Sequence, residues 1–204
     1  MADDTPDAPP FSRSADNNKE HILQKLREFL APGAQILEIA SGTAQHALYF
    51  TSKVKHLTWQ PSDIDLEAFQ LARTIQDNPR PNLLSPIELD IGNWPELSSS
   101  FDGVYSANCL HIIGEQLVAP YVAGVSKSLK VNGKMMLYGP FKFDGEYTTS
   151  SNAEFNQFLA NTYEGGGIKD FERVDQLAQS NGLKLVQNCP MPANNQFIVW
   201  QKLG

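Results

Sequence analysis

Apolar positions along this chain switch between two periods, and each switch marks an element. Ile22, Leu23, Leu26, Phe29 and Leu30 recur at three- and four-residue spacing, which predicts an amphipathic helix. Ahead of them, Asn17-Asn18-Lys19-Glu20 reads as an N-cap with a glutamate three places on, and Pro32-Gly33 stops the helix. Residues 35–39 then form a short, mostly apolar run before a turn, the pattern of a buried strand. The alternation repeats. A helix over 43–51 turns Ala44, Ala47 and Leu48 inward, and 56–60 reads as a second strand. Ile64, Ala68, Leu71, Ala72 and Ile75 make a helical stripe ended by Asn78-Pro79, before strands at 86–89 and 101–107. Val118, Tyr121, Val122, Val125 and Leu129 give another helix face, closed by a turn at Val131-Asn132-Gly133 and followed by a fifth strand at 134–138. Phe171, Val174, Leu177 and Ala178 line the last helix, which Asn181-Gly182 caps, and strands at 183–189 and 196–201 complete the pattern.

Strands that alternate with helices pair in parallel, with the crossover helices on both faces. The last two strands lack a helix between them and are expected to pair as a hairpin. The expectation is an α/β fold: a doubly wound, mostly parallel seven-stranded sheet with a terminal antiparallel hairpin. Residues 139–168 break the alternation, with Gly139-Pro140-Phe141, a short helix expected over 152–161 and Gly165-Gly166-Gly167. They read as a lid-like excursion over the C-terminal ends of the strands, where ligands bind in such sheets. Residues 1–12, rich in Pro and Asp, read as a disordered tail, leaving 13–204 as one domain.

Composition narrows the chemistry. The chain has 204 residues, 41% hydrophobic, without a run of eighteen apolar residues, so no membrane partner is expected. Its start has neither the basic nor the apolar stretch of a secretory signal, which suggests a cytoplasmic protein. Sixteen Lys and Arg against 23 Asp and Glu leave a net charge of −7, and no basic cluster stands out. Such a surface repels phosphate backbones, so nucleic acid is not an expected partner and a small-molecule substrate is. Cys109 and Cys189 are isolated and no ligand spacing is present, so no metal is expected.

The candidate chemistry begins at the first turn. Glu38-Ile39-Ala40-Ser41-Gly42-Thr43-Ala44 leaves a buried strand and opens a helix, and its small residues let a ligand approach the backbone. A dinucleotide site asks for G-x-G-x-x-G, because pyrophosphate must sit on the helix N-terminus. Only Gly42 of those glycines is present, which disfavours a nicotinamide cofactor. The pattern instead resembles the turn of class I S-adenosylmethionine-binding domains, a Rossmann-like type, in which an acid leads into a small-rich loop. Cofactor contacts are expected from Glu38, Ala40, Ser41, Gly42 and Thr43. Asp63, at the end of the second strand, is placed to accept ribose hydroxyls, or else to favour a helix N-terminus; Asp65 is a less well placed rival. Asp90 ends the third strand, where it serves either an adenine amine, with Ile91 against the ring, or a turn before Gly92. Asn108 and His111 follow the fourth strand near the reacting methyl. His111 is a candidate general base or a structural histidine on the pocket floor. Met191-Pro192-Ala193-Asn194-Asn195 reads as a turn, and Ser151-Asn152-Ala153-Glu154 as a capping box.

These stretches together resemble the methyltransferase-like protein 26 family. The likeness is carried by Arg13-Ser14-Ala15-Asp16-Asn17-Asn18, by residues 37–46, by Trp59-Gln60-Pro61-Ser62-Asp63, by Ala107-Asn108-Cys109-Leu110-His111-Ile112, by Tyr138-Gly139-Pro140-Phe141, by Ser151-Asn152, and by Met191-Pro192-Ala193-Asn194-Asn195. The family usually has Gly-Thr-Gly-Gln-His where this chain has Gly42-Thr43-Ala44-Gln45-His46. The resemblance implies a class I methyltransferase fold that uses S-adenosylmethionine and leaves S-adenosylhomocysteine. It gives weight to Arg13, Asn17, Tyr138, Asn152, Asn194 and Asn195 as substrate contacts in loops and caps, with Arg13 as a carboxylate or phosphate binder. A cofactor-binding sensor without catalysis is the alternative.

Overall fold

The computed structural model describes residues 10–97 and 100–204; most of the expected N-terminal tail, residues 1–9, lies outside them. Nine strands and six α-helices are formed among these residues. The strands β1 (Gln35–Ile39), β2 (Thr58–Asp63), β3 (Ile87–Glu88), β4 (Phe101–Ala107), β5 (Leu129–Gly139), β8 (Leu183–Met191) and β9 (Asn195–Lys202) make one sheet in the order β3-β2-β1-β4-β5-β9-β8. The first five run parallel, and β9 is antiparallel to both β5 and β8. This is the doubly wound sheet with a terminal hairpin that the pattern predicts. Among the described residues no helix is long and apolar enough to cross a membrane.

Alternate side chains of each strand feed two cores. Ile36, Tyr105, Met136, Phe197 and Val199 face a layer that includes Ile22, Leu26, Phe50 and Trp59, packed under α1 (Arg13–Phe29) and α2 (Gln45–Lys53). Leu37, Val104, Met135, Leu137, Ile198 and Trp200 face the other layer, under α4 (Val118–Ser128) and α6 (Phe171–Ser180). Burial on both faces is why these strands read as near-continuous apolar runs.

Several boundaries differ from the periodicity. Helix α1 begins four residues before the expected cap: Ser12 is its N-cap and its side chain accepts from Ala15 N. Arg13 and Asn17 are therefore helical and exposed rather than in a loop or cap. Helix α3 (Leu71–Asp77) is shorter than the stripe from Ile64. Side chains capture the backbone there, with Asp63 holding Ile64 N and Asp65 holding Glu67 N and Ala68 N. The turn expected at Val131-Asn132-Gly133 lies inside β5. Pairing with β4 jumps from Leu129 to Lys134, and Asn132 takes a left-handed φ of 67°, so a bulge absorbs the turn residues.

The excursion holds a small hairpin, β6 (Lys142–Phe143) with β7 (Glu146–Tyr147), and α5 (Ser150–Thr162). Thr149, not Ser151, caps α5, accepting from Asn152 N at 3.3 Å. The segment after α5 is stitched down by Gly167 N donating to His111 O at 2.9 Å and by Ile168 N donating to Asn156 Oδ1 at 2.8 Å.

Candidate functional site

The winding reverses between β1 and β4, which leaves a crevice beyond their C-terminal ends. The residues after β1 make its tight side. Ala40, Gly42 and Ala44 have φ of 58°, 51° and 62°, so three residues of five lie in the left-handed region. For alanine this costs roughly 1–2 kcal/mol each.

Side-chain bonds hold the turn in that shape. Glu38 is buried, and its Oε2 accepts from Trp59 Nε1 at 2.9 Å and from Ser41 Oγ at 3.0 Å. Ser41 Oγ in turn accepts from Ser62 N at 3.2 Å. Desolvation pushes the Glu38 carboxyl up to about 7, against the pull of its Trp59 and Ser41 donors. The two expected cofactor residues Glu38 and Ser41 thus turn their polar groups inward as posts beneath the turn. Asp63 Oδ2 accepts from Gly42 N at 2.8 Å, tying the turn to the end of β2. Thr43 Oγ1 donates to Gln45 Oε1, and Gln45 also bonds both backbone groups of Ser12, so the start of α1 is fastened beside the turn. Asp90 is exposed, and its Oδ1 accepts from Gly92 N at 2.8 Å, which is the turn role; Ile91 is partly buried in the second core.

His46 lies under the same turn. It stands 3.9 Å from Glu38, bonds Asn18 Oδ1 at 2.7 Å and meets Tyr105 Oη at 3.2 Å. Burial lowers its pKa to about 4, so His46 is neutral and the contact is not an ion pair. Nothing in the spacing of single residues exposes this network, because its members come from α1, β1, α2 and β4.

On the other side of the crevice is a cavity of about 520 Å³. Ala40 and Ser14 bound it near the turn; Asn108, His111 and Tyr138 come from the ends of β4 and β5; Asn152 and Asn195 come from α5 and the β8–β9 turn. Six expected residues, Ala40 among them, are therefore brought together. Arg13, Asn17 and Asn194 are not in the lining, and Ser12, Ser14 and Ala193 stand there in their place. Asn194 instead bonds Ser151 Oγ at 3.4 Å through its side chain and accepts from Asn152 Nδ2 at 3.3 Å through its carbonyl. Asn108 has φ 59°, donates its backbone N–H to Tyr138 O at 2.8 Å and reaches Ser14 Oγ at 3.3 Å. His111 is buried against the Phe155 ring; burial first, and the Lys169 charge second, lower its pKa to about 4. Burial pushes the Tyr138 hydroxyl above its usual range, with hydrogen bonding to Asn18 opposing. Among the described residues no cluster of three or more His, Cys, Asp or Glu is arranged to hold a metal.

Comparison with known proteins places this geometry. The family described as "Protein of unknown function (DUF938)" matches residues 9–202. An O-methyltransferase family protein from Burkholderia thailandensis superposes with a TM-score of 0.79 at 15% identity, covering 94% of this chain and 57% of its own. Human N-acetylserotonin methyltransferase, solved in complex with SAM, gives 0.76 at 14%, covering 94% and 53%. An O-methyltransferase family 2 protein from Planctomyces limnophilus, solved with apigenin, gives 0.76 at 17%, covering 93% and 60%. The chain thus spans little more than half the length of these proteins, and the likeness establishes a class I methyltransferase fold.

Proposed function

The chain belongs to the DUF938 family, and from that premise we propose that it is an S-adenosylmethionine-dependent methyltransferase for a small-molecule acceptor, of the methyltransferase-like protein 26 kind. One observation carries the reading: a turn strained at Ala40 and Ala44 and pinned to Asp63 adjoins a cavity in the same crevice. Backbone held against its own preference is a mark of a site shaped for a ligand.

The residues present fit this cofactor. A Cβ built on Gly42 would meet nothing within 4 Å, so no atom of the described residues fills the space beside the turn. Ala40, Gly42 and Thr43 would line the amino-acid end, Asp63 would take the ribose, and Asp90 and Ile91 would flank the base. Ile64, 62% exposed directly after Asp63, adds an apolar surface there. Asn108 would stand between cofactor and acceptor. When bound, S-adenosylmethionine supplies a methyl group on a positively charged sulfur. The chain's own part is to position the acceptor and exclude water, which is enough for an acceptor that is already nucleophilic. His111 is neutral at pH 7, so a ring nitrogen can accept from an O–H or N–H and orient it, while its low pKa makes it a weak base.

Calorimetry with S-adenosylmethionine, S-adenosylhomocysteine and NAD tests the reading. Sub-millimolar binding of the two sulfur compounds and none of NAD is expected; NAD binding alone overturns it. Asp63→Asn should weaken the sulfur compounds by roughly 1.5–3 kcal/mol, the worth of charge-assisted hydrogen bonds. The weak basicity of His111 also suits a sensor that binds without catalysis. Methyl incorporation from labelled cofactor into a metabolite extract separates the two, since tight binding without product favours the sensor.

A further inference from the structure

The lining of the acceptor-side cavity is unusual in its charge. None of the described residues that form it is Asp, Glu, Lys or Arg. The two cations nearby do not serve it. Lys169 is buried behind His111, with its ammonium donated to Ile113 O at 2.9 Å and Gly165 O at 3.4 Å and the Glu115 carboxylate 4.0 Å away. Arg13 sits between two lining serines yet is itself exposed outside the cavity. An ionic ligand would lose hydration here and gain no counter-charge from the lining residues.

The walls also differ from each other. On the α5 side, Phe155 and Phe158 stack with centroids 6.1 Å apart and planes 14° apart, and Tyr163 continues the wall. These residues are 36%, 57% and 39% exposed, so aromatic surface on this wall stands open to whatever enters. On the strand side the lining is uncharged but polar. His111 is only 6% exposed there, and no hydrogen bond among the described residues holds either ring nitrogen. Both ring nitrogens keep accessible surface, so one that no described protein group holds is open to a donor from the ligand.

We propose that this cavity takes an uncharged, flat aromatic or heteroaromatic molecule carrying a hydroxyl or N–H, its ring against the Phe155–Phe158–Tyr163 wall and its donor on His111. Naming that molecule the methyl acceptor rests on the methyltransferase reading; its chemical class rests on the lining.

A matched set of probes tests the class: 2-naphthol, 2-methoxynaphthalene, 6-hydroxy-2-naphthoate, 6-aminomethyl-2-naphthol and decahydro-2-naphthol, titrated by calorimetry with and without S-adenosylhomocysteine. 2-Naphthol should bind best, with the anion, the cation and the saturated ring each about tenfold weaker or worse, the scale of one lost aromatic contact or one unpaired charge. Phe155→Ala and Tyr163→Ala should each weaken 2-naphthol by up to about tenfold and leave S-adenosylhomocysteine binding unchanged. His111→Ala should abolish the preference for 2-naphthol over its methyl ether. Equal or tighter binding of the naphthoate, no binding of 2-naphthol, or full affinity in both wall variants overturns the proposal. Binding of 2-naphthol without any binding of S-adenosylhomocysteine would sustain the ligand class and sink the cofactor reading; the opposite pair of results would do the reverse.

Discussion

Two regions at one end of the sheet are built on opposite terms. Beneath the 40–44 turn, polar groups find partners inside the protein: Glu38 takes Trp59 and Ser41, and His46 takes Asn18 and Tyr105. Across the crevice, no hydrogen bond among the described residues holds the His111 ring, and the α5 aromatics stand half open. The first region spends its polar chemistry on holding a backbone shape; in the second, Asn108, Asn152 and Asn195 also hold protein groups, and the His111 ring is what remains for something that arrives. A residue's type and its place at a strand end therefore do not say whether it serves the ligand; what its polar atoms already hold does.

The largest effect expected from this contrast is on folding. Trp59 is fully buried and its indole N–H is Glu38's donor, so Trp59→Ala should lose about 3–5 kcal/mol in urea unfolding. Phe155→Ala removes an aromatic ring from the open wall and should change stability by under about 1 kcal/mol. Similar losses from both would erase the distinction between a closed floor and an open wall.

The same contrast explains what was legible beforehand. Strands β1 and β4 fall where the apolar runs place them, because a strand buried on both faces writes its burial into consecutive residues. Asn108, His111, Tyr138, Asn152 and Asn195 also converge on one cavity, since strand ends and the loops beyond them share one face of the sheet. Partners distant in sequence are what periodicity does not carry. Ser12 caps α1 and is fastened by Gln45, thirty-three residues away, so the cap at Asn17 is displaced and Arg13 becomes a helical surface residue. Glu38 has the spacing of a cofactor acid, and only the approach of Trp59 from β2 shows that its carboxylate is already committed. Ile64 completes a helical stripe on paper, but its own amide is held by Asp63, and the side chain ends up in solvent.

A middle-sized effect comes from protonation beneath the turn. The folded Glu38 carboxyl titrates near 7, above the ordinary 4.5, so the fold keeps its proton longer than the unfolded chain does. Its stabilising contribution is complete below about 4.5 and is lost as pH rises through about 7, on the order of 3 kcal/mol in all. His46 and His111 run the other way. Their folded values near 4 lie below 6.5, so their contribution is present above 6.5 and lost as pH falls toward 4. The opposed slopes overlap between 4.5 and 6.5, where Glu38 offsets part of the histidines' loss. Glu38→Gln should leave stability steeper in that window and higher than wild type above pH 7, as read by urea midpoints across pH 4–8. Parallel curves for the two proteins would mean that Glu38 ionises as freely folded as unfolded.

The smallest effect separates the two strained alanines. Glycine at 40 or 44 relieves roughly 1–2 kcal/mol of left-handed strain, and it gives back about 0.4–1 kcal/mol because the unfolded chain gains freedom. Ala40 is only partly buried, so Ala40→Gly should come out ahead by up to about 1 kcal/mol. Ala44 is fully buried, and removing its methyl forfeits about 0.8 kcal/mol of burial, which brings Ala44→Gly close to neutral. Thermal midpoints in that order would show that the turn's floor, although closed, is packed around Ala44 and merely tolerates Ala40. The reverse order would place the packing at the crevice side and the strain in the core. Because Ala40 borders both the turn and the cavity, the same variant also asks whether the strain serves binding: if the left-handed alanine presets the backbone for the cofactor, the more stable Ala40→Gly protein should bind S-adenosylhomocysteine slightly less tightly, the extra stability and the lost affinity arising from one relaxed torsion.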